Sequence, residues 1–477
     1  MYASLAPTLR PGIASPVDKI QVVSDARVES VTQEHPELIR MELRVQETVL
    51  RAVLQIADVS KDIWDLARAL TADSIIKITG YVGEPTEEYA PGNDHASSAV
   101  IHVLDIHIIS LAPKNLRLSS DSKQKMHPLR ADLEERLDNR ILDMRDAASG
   151  AIFKLHSGMC QLVVEFLCSK DFHWIHTPRI ISATIPGDNE YFHLKYFGKD
   201  AWLAQSSQHH KQMALAMDMQ RVFEIGPVFR AEVKSKNSAR HVTEFTVLDI
   251  AMAFNDDYHE VVNLIESMLV FVLNELQQRS QYRRLVEEVQ KLYPRARPFC
   301  VGFDDHGKVP RISFFEAKRI LRDELGFTSD DCKNLTSDRE QEEAALGTHF
   351  YKTLGTDIFT IDQYPAAMRQ FNSQPSLERP GLSNTWDTIV GGREICSGSQ
   401  RIHSYSNLCE AMRAGVCGPP LDPEDEQWQP YLAAFRAGMP PHGGCGLGLN
   451  RLLQSFLGLD DVREAIMFPR DINRLRP

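Results

Sequence analysis

Hydrophobic and polar residues alternate in five short segments between Lys19 and Leu111. The segments are KIQVVSDARVESV, LIRMELRV, VLRAVLQIA, SIIKITGYV and VIHVLDIHIIS. A period of two is typical of β-strands with one buried face. Between the third and fourth segments, SKDIWDLARAL predicts a helix, because apolar residues recur at helical spacing at Ile63, Leu66, Ala67 and Leu70. Five strands with a helix at this point are typical of an OB-fold barrel, which we predict for residues 19–112.

Polar composition separates this barrel from the rest of the chain. Residues 1–18 contain MYASLAPTLRPGIASP and are expected to form a loose N-terminal tail. The segment APKNLRLSSDSKQKMHPLRADLEER is charged and contains prolines, which predicts a hinge over residues 113–136. Residues 137–477 mix apolar runs with long helices such as YHEVVNLIESMLVFVLNELQQR and end in the glycine-rich GGCGLGLNRLLQSFLGL. This mixture predicts a large α+β domain.

One long apolar helix is predicted near the start of this second domain. In AIFKLHSGMCQLVVEFLCSKDF, one helical face carries Ile152, Leu155, Met159, Leu162, Val163 and Phe166. Such a face packs either against the core of its own domain or against a second subunit, and the pattern leaves both open. The segment WIHTPRI then continues in extended form through Pro178.

Two apolar runs flank a polar stretch in VFEIGPVFRAEVKSKNSARHVTEF, from Val222 to Phe245. The runs predict an antiparallel hairpin with a long polar tip. Near that tip lie two arginines, a histidine, a glutamate and a phenylalanine: Arg230, Arg240, His241, Glu232 and Phe245. Cations suit phosphates, a carboxylate suits an exocyclic amine, and an aromatic ring stacks on a base. The hairpin is therefore either a nucleotide cradle or a surface hairpin with ordinary charges.

Length, composition and charge narrow the class of protein. The 477 residues suffice for two or three domains, and 43% hydrophobic content is ordinary for a globular protein. The eight cysteines include no C-x-x-C pair, which argues against zinc and against a disulfide framework. Because the sequence has no uninterrupted run of about eighteen apolar residues and no charged-then-apolar leader, we expect a cytoplasmic protein. The net charge of -12, with no basic run, restricts nucleic-acid contacts to local patches.

Three motifs in order resemble those of the class II aminoacyl-tRNA synthetases. They are the helix and extended segment ending at Pro178, the hairpin with FRAE and RHVTEF, and the terminal GLGLNR. Further segments are similar to aspartyl-tRNA synthetases of the eukaryotic and archaeal type: LAQSSQHHKQM, LDIAMAF, GTDIFTIDQYP, REICSGSQRIH, MPPHGGCGLGLNR and FPRDINRLRP. The resemblance runs from the barrel to the last residue. It implies an antiparallel sheet with flanking helices that works as a homodimer, and an OB-fold barrel that reads the anticodon of a tRNA.

The resemblance also implies ATP-binding roles for individual residues. In such enzymes ATP lies bent over the sheet, and Arg230 matches the position that grips the α-phosphate. Glu232 matches the residue that meets the adenine amine, and Phe245 matches the ring that stacks against the base. His241 and Arg451 match the residues that hold the outer phosphates. Arg230 and Arg451 are thus the implied catalytic residues.

The metal and the reaction follow from the same resemblance. Glu394 and Ser397, in EICS, match the positions that hold Mg²⁺, and hard oxygen ligands suit this ion, which binds together with substrate phosphates. The implied reaction is in-line attack of an amino-acid carboxylate on the α-phosphate, which gives an aminoacyl-adenylate and pyrophosphate. Positioning and charge neutralisation carry such a reaction, without a side-chain base.

A second set of residues is implied to bind the amino acid. Lys211 and Arg401 match the family's two cations for the side-chain carboxylate of aspartate. A buried acid needs such partners, because an unpaired buried charge is costly. Ser206, Gln208 and Asp249 match positions around the α-amino group and the floor of the pocket.

The chain departs from the family pattern at several positions. Pro186, in ISATIPGDNEYF, stands where the family has a glutamate that holds the substrate's ammonium. Ala251 replaces an acid in LDIA, Asn450 replaces a glutamate in GLNR, and Arg40 aligns with an aromatic residue that stacks on an anticodon base. A guanidinium can also stack on a base. The polar loop of the hairpin is longer than is usual in the family and carries Lys234 and Lys236.

Three functions remain open at this point. The first is an aspartate–tRNA ligase that uses ATP and Mg²⁺. The second is a specialised paralogue that forms an acidic acyl-adenylate and transfers it to an acceptor other than tRNA, as the departures suggest. The third is a non-catalytic binding module that keeps the motifs as a scaffold.

Overall fold

A computed structural model describes residues 21–46, 48–83, 100–114, 132–182, 191–232, 239–328, 339–415 and 418–477. The chain divides into two compact units, residues 1–125 and 126–477. The predicted positions Pro186, Lys234 and Lys236 lie outside the described residues. The six described cysteines are free thiols, as predicted: Cys160, Cys168, Cys300, Cys396, Cys409 and Cys445.

The first unit contains a closed barrel of five strands in the order β1-β2-β3-β5-β4. The strands are β1 Gln21–His35, β2 Leu38–Val45, β3 Thr48–Gln55, β4 Ile75–Gly83 and β5 Val100–Ser110. Alternate residues of β2 fill the barrel, because Ile39, Met41 and Leu43 are buried. Arg40 lies between two of them and so points to the other side of the strand. The predicted OB-fold barrel is confirmed.

Helix α1, Lys61–Ala69, connects β3 and β4 where the sequence predicted it. The hydroxyl of Ser60 accepts a hydrogen bond from the backbone nitrogen of Ile63 and so caps the helix N-terminus. Trp64 and Ala67 are buried in the barrel core. The apolar face of α1 thus packs against the core of the barrel.

The second unit is built on an eight-stranded sheet in the order β12-β13-β14-β15-β16-β11-β10-β6. The strands are β6 His173–Trp174, β10 Arg221–Phe229, β11 Glu244–Ala253, β12 Arg311–Ser313, β13 Ile358–Asp362, β14 Thr385–Val390, β15 Arg393–Arg401 and β16 His442–Gly448. The strands from β13 to β10 pair antiparallel, and the two outermost pairs are parallel. A small separate sheet holds β7 Ile180–Ile181, β8 His193–Tyr196 and β9 Lys199–Leu203.

Helices cover this sheet, as expected for an α+β fold. They are α2 Leu133–Asp138, α3 Arg140–Asp143, α4 Ala147–Cys168, α5 Gln208–Leu215, α6 His259–Gln278, α7 Ser280–Gln290, α8 Phe314–Asp323, α9 Arg339–Leu354, α10 Tyr405–Ala414, α11 Gln429–Arg436 and α12 Leu449–Leu457. The main core joins α4, α6 and α12 to one face of the sheet. The other face carries α5, α10 and α11, with a second apolar cluster.

The apolar face of α4 belongs to the core of its own domain. Ile152, Leu155 and Met159 are buried together with residues of the sheet and of α6. The opposite side of α4 is polar and exposed at Lys154 and Gln161. By length and composition α4 could span a membrane, but half of its apolar window is buried. Of the two interpretations left open by the sequence, the structure favours the core helix.

Candidate functional site

Two adjoining cavities lie on one face of the central sheet in the second unit. The larger has a volume of about 550 Å³ and the smaller about 150 Å³. Six residues line both cavities: Gln205, Ser206, Arg230, Asp249, Ser397 and Gly446. The two cavities therefore meet at a shared wall, so molecules bound in them would lie close together.

The hairpin predicted from the sequence forms one wall of the smaller cavity. Strands β10 and β11 pair antiparallel from Arg221 and Met252 to Phe229 and Glu244. Four polar residues between β10 and β11 and one aromatic residue at the start of β11 converge on this cavity: Arg230, Glu232, Arg240, His241 and Phe245. The structure therefore brings together the whole set of hairpin residues that the sequence singled out.

The chemistry of this wall suits a nucleotide. The guanidinium carbon of Arg230 lies 5.5 Å from the centre of the Phe245 ring, so a cation and a flat aromatic surface are adjacent. His241 Nε2 lies 3.5 Å from the Glu232 carboxylate. Arg230 is exposed, whereas Glu232 is only 9% exposed. A cation for phosphate, an acceptor for an amine and a ring for stacking thus share one small space.

Arg451, at the start of α12, also lines the smaller cavity. Its Nη1 donates to the backbone oxygen of Glu394 at 3.0 Å, and its Nη2 donates to that of Arg240 at 3.4 Å. Burial lowers the pKa of Arg451, and the neighbouring charges of Glu394 and Arg240 act in opposite directions. Two backbone contacts thus hold this guanidinium at the edge of the smaller cavity.

Glu343 contacts two of the residues that line the smaller cavity, Arg240 and Glu394. It was not singled out from the sequence. Its Oε2 accepts hydrogen bonds from Arg240 Nη2 and from the backbone nitrogen of Glu394, each at 2.8 Å. Glu343 belongs to α9 and is buried. It lies about a hundred residues from the hairpin in sequence, within a helix whose local pattern carries no sign of a site.

A β-bulge in β15 brings the side chains of Glu394 and Ser397 to the same face of the strand, where both line the smaller cavity. Strand β15 pairs Thr388 with Cys396 but Ile389 with Glu394, so it carries one extra residue, Ile395. Residues three apart on a regular strand point to opposite faces, and the extra residue restores the same face. Both predicted metal ligands line the smaller cavity as a result.

A buried ion pair lies beside Ser397. Arg369 donates from Nη1 to Ser397 Oγ at 3.0 Å and from Nη2 to Asp387 Oδ2 at 2.8 Å. Asp387 is fully buried and pairs directly with Ser397 between strands β14 and β15. Within the part of the chain that the structure describes, no group of three or more His, Cys, Asp or Glu side chains is arranged to hold a metal ion.

The larger cavity contains the predicted amino-acid-binding residues. Lys211 Nζ lies 2.8 Å from Asp249 Oδ1 and 2.9 Å from the backbone oxygen of Cys445. The other oxygen of Asp249 accepts from the backbone nitrogen and hydroxyl of Ser207, at 3.0 and 2.9 Å. Burial alone would raise the pKa of Asp249, but the charge and hydrogen bond of Lys211 lower it. Lys211 and Asp249 thus form a buried, electrically neutral pair.

Arg401 lies at the end of β15 and lines the same cavity. It is 8% exposed, and its Nη1 donates to Asn372 Oδ1 at 2.9 Å. No carboxylate among the described residues forms an ion pair with it. Burial lowers its pKa to about 10, so the guanidinium stays charged at neutral pH.

Ser206 and Gln208 lie at the N-terminus of α5, at the rim of the larger cavity. The hydroxyl of Ser206 accepts from the backbone nitrogen of Gln208 at 3.3 Å. Gln208 Nε2 donates to Gln370 Oε1 at 3.4 Å. All five predicted amino-acid-binding residues therefore line one space, and Gln370 joins them without having been predicted.

Two departures from the family pattern have structural counterparts. Ala251 is buried in an apolar cluster that also contains residues of α5 and α11. Asn450 Oδ1 accepts from the backbone nitrogen of Thr246 at 2.8 Å, and its Nδ2 donates to the backbone oxygen of Ala465 at 2.9 Å. An amide supplies both a donor and an acceptor, which an ionised glutamate cannot do.

Comparison with known proteins agrees with this fold. The family model described as "tRNA synthetases class II (D, K and N)" matches residues 132–472. The chain belongs to this family, so the class predicted from its motifs is confirmed.

Individual relatives narrow the resemblance. The chain is 38% identical over 444 residues to the cytoplasmic aspartate–tRNA ligase of Mus musculus, covering 91% of this chain and 84% of that protein. It is 35% identical over 447 residues to the aspartate–tRNA(Asp/Asn) ligase of Archaeoglobus fulgidus, covering 92% and 93%. Among solved structures, the aspartyl-tRNA synthetase of Entamoeba histolytica has a TM-score of 0.79 at 31% identity, covering 96% of this chain and 90% of that one. Asparaginyl-tRNA synthetase of Pyrococcus horikoshii, complexed with asparaginyl-adenylate, has a TM-score of 0.78 at 27% identity, covering 96% and 97%.

Proposed function

We propose that this chain is an aspartate–tRNA ligase, which activates aspartate with ATP and transfers it to tRNA. One observation carries the proposal: the smaller cavity, whose residues suit a nucleotide, adjoins a cavity where buried Arg401 forms no ion pair with a described carboxylate. An uncompensated buried cation favours an acidic ligand, because burial removes the solvation of the charge. The names of the mouse and archaeal relatives support the same activity.

ATP binds in the smaller cavity. Phe245 stacks on the adenine, Glu232 accepts from its exocyclic amine, and Arg230 contacts the α-phosphate. His241 and Arg451 contact the outer phosphates. The guanidinium of Arg451 is already held by two backbone oxygens, so little side-chain entropy is lost when a phosphate arrives.

Glu394 and Ser397 would hold Mg²⁺ when it binds together with ATP. A carboxylate and a hydroxyl are the oxygen ligands this ion takes, and the bulge at Ile395 brings both to the cavity wall. When bound, the ion neutralises charge on the phosphates. Protein ligands of this small number suit Mg²⁺, which completes its coordination with phosphate oxygens and water.

The acid is activated by direct displacement. The α-carboxylate of aspartate attacks the α-phosphorus, a new P–O bond forms, and the bond to the β-phosphate oxygen breaks to release pyrophosphate. The attacking carboxylate is already ionised at neutral pH, so no base is needed. Arg230 stabilises the charge that develops on the α-phosphate. A tRNA hydroxyl then takes the aspartyl group from the adenylate and releases AMP.

The larger cavity selects the acid. Arg401 pairs with the side-chain carboxylate of aspartate, and Lys211 contributes a further N–H toward the same group. Ser206, Gln208 and Asp249 surround the α-amino end. Asp249 also holds Lys211 in place at 2.8 Å.

The partners and setting follow the same family pattern. We propose that the barrel contacts the anticodon of tRNA, that the chain works as a homodimer, and that it acts in the cytoplasm, as the name of the mouse relative supports. Sedimentation equilibrium of the purified protein tests the homodimer. A single species at the 54.0 kDa monomer mass would contradict it.

The direct test of the function is the transfer of labelled aspartate to total cellular tRNA with ATP and Mg²⁺. We expect acid-precipitable label with aspartate and none with labelled asparagine or glutamate. Absence of charging in protein that still exchanges pyrophosphate would favour the paralogue with another acceptor.

A further inference from the structure

The cations of the larger cavity differ in how their charge is balanced. Lys211 pairs with Asp249 at 2.8 Å, and Arg369 pairs with Asp387 at 2.8 Å. Arg401, although 8% exposed, has its described hydrogen bond with the neutral amide of Asn372. The inner end of the cavity therefore carries one buried positive charge that no described carboxylate cancels.

The backbone fixes Asn372 beside this charge. The backbone nitrogen of Ile402 donates to the backbone oxygen of Asn372 at 3.0 Å, and Ser373 forms an antiparallel bridge with Arg401. Asn372 is 1% exposed. Its position beside the guanidinium is thus set by main-chain contacts on both sides, so a change of its side chain alters chemistry more than geometry.

The other groups that face Arg401 do not supply a compensating charge. Tyr431 is buried, and burial raises the pKa of its phenol, so it stays neutral. The pKa of His209 is lowered to about 4 by burial and by the charges of His210 and Arg401, so this ring is neutral at pH 7. The charge of Asp249 raises the pKa of Arg401 and that of Arg369 lowers it, but Asp249 is paired with Lys211 and Arg369 with Asp387. Cys445 is a buried thiol.

We propose that Asn372 is a specificity-determining residue, which orients Arg401 through a neutral amide and so leaves the guanidinium charge for the side-chain carboxylate of the substrate. The amide oxygen fixes one N–H of Arg401, and the remaining N–H groups are free to make a charge-assisted contact with the ligand. An aspartate at this position would occupy the same volume but would cancel the charge. This inference rests on the proposed function and deepens it.

The experiment compares N372D with N372A, with N407D as a control that adds a carboxylate at an exposed site. Aspartate-dependent pyrophosphate exchange gives KM for aspartate and for ATP, and calorimetric titration with aspartate gives Kd. For N372D we expect KM and Kd for aspartate to rise by at least about 30-fold, as for loss of a buried charge pair. KM for ATP should stay within about threefold, because the nucleotide cavity is unchanged.

N372A separates orientation from charge. It removes the amide contact but keeps the positive charge, so we expect a rise in KM for aspartate several-fold smaller than that of N372D. The preference for aspartate over asparagine should fall in N372D and persist in N372A and N407D. If N372D does not fold, S399D places a carboxylate two residues from Arg401 on the same strand face, and the same rise is expected.

The outcomes distinguish this inference from the proposed function. An N372D protein whose KM and Kd for aspartate stay within about twofold of wild type overturns the inference. An N372A rise as large as that of N372D does the same. Wild-type protein that binds aspartate without pyrophosphate exchange contradicts the proposed function, and the Kd comparison still decides the inference. Wild-type protein that does not bind aspartate overturns both.

Discussion

Glu394 and Ser397 lie three residues apart on one strand, yet both line the nucleotide cavity, because the bulge at Ile395 reverses the alternation between them. Ile395 and Cys396 are both buried in the core on the other side of the sheet. The bulge thus gives one strand a carboxylate and a hydroxyl on its cavity side and apolar side chains packed in the core on the other.

This relationship predicts the effect of E394Q. Loss of the carboxylate charge should raise the Mg²⁺ concentration needed for half-maximal pyrophosphate exchange and lower kcat by about 100-fold. The amide keeps the shape of the side chain, so the melting temperature should be unchanged. A Mg²⁺ titration of E394Q beside the exposed control E410Q checks this. An unaltered Mg²⁺ requirement would show that Glu394 does not hold the ion.

The buried pair of Lys211 and Asp249 predicts coupled effects on stability in a double-mutant cycle. K211M leaves Asp249 buried without its partner and should lower the free energy of unfolding by about 3 kcal/mol. The double variant K211M/D249N removes both charges and should regain most of that loss. Urea unfolding of the two single variants, the double variant and wild type measures the coupling. Additive effects of the two substitutions would contradict a direct pair.

Local patterns of the sequence predict the barrel, the hairpin and the core helix, because each depends on residues close together in the chain. Ile39, Met41 and Leu43 alternate within a single strand, and their burial follows from that period. Glu343 and Asn372 could not be found in this way. Each reaches the site from a distant segment and makes its contacts through tertiary packing.

The bulge at Ile395 was also hidden from the sequence, because nothing in EICS shows which residue is the extra one. Resemblance to a family supplied the metal-binding positions without the geometry that unites them. The same holds for the positions at which the chain departs from the family pattern. Asn450 could be recognised as unusual from GLNR, but its two hydrogen bonds are seen only in the fold.

Those two hydrogen bonds predict the effect of N450D. Aspartate keeps the acceptor for Thr246 but loses the donor to Ala465, and it brings two acceptors together in a buried place. We expect the free energy of unfolding to fall by about 2 kcal/mol. The control N255D, at an exposed position, should be within about 0.5 kcal/mol of wild type. Thermal or urea unfolding compares the three proteins. An N450D protein as stable as wild type would show that the two hydrogen bonds of Asn450 do not stabilise the fold.

His442 predicts a pH dependence of stability. It is fully buried, and burial lowers its pKa to about 4, while a backbone hydrogen bond with Pro440 acts in the opposite direction. Between pH 6.5 and about 4 the unfolded chain binds a proton at this residue that the folded chain does not. The contribution of His442 to the free energy of unfolding is therefore complete above pH 6.5. It falls by about 3 kcal/mol as the pH decreases toward 4.

Urea unfolding at pH 7.0, 5.5 and 4.5 measures this contribution. The variant H442N should show a shallower loss of stability with falling pH than wild type, whereas H306N, at an exposed position, should follow wild type. Equal slopes for wild type and H442N would show that His442 does not titrate between the folded and unfolded states as described.

The central claim is that the two adjoining cavities carry out one reaction between ATP and aspartate. Its most direct test is aspartate-dependent exchange of labelled pyrophosphate into ATP, without tRNA, for wild type, R230A and the exposed control R283A. The account predicts exchange with aspartate but not with asparagine, a loss of at least about 100-fold in R230A, and no loss in R283A. Absence of aspartate-dependent exchange in wild type, or exchange that survives R230A, would contradict it.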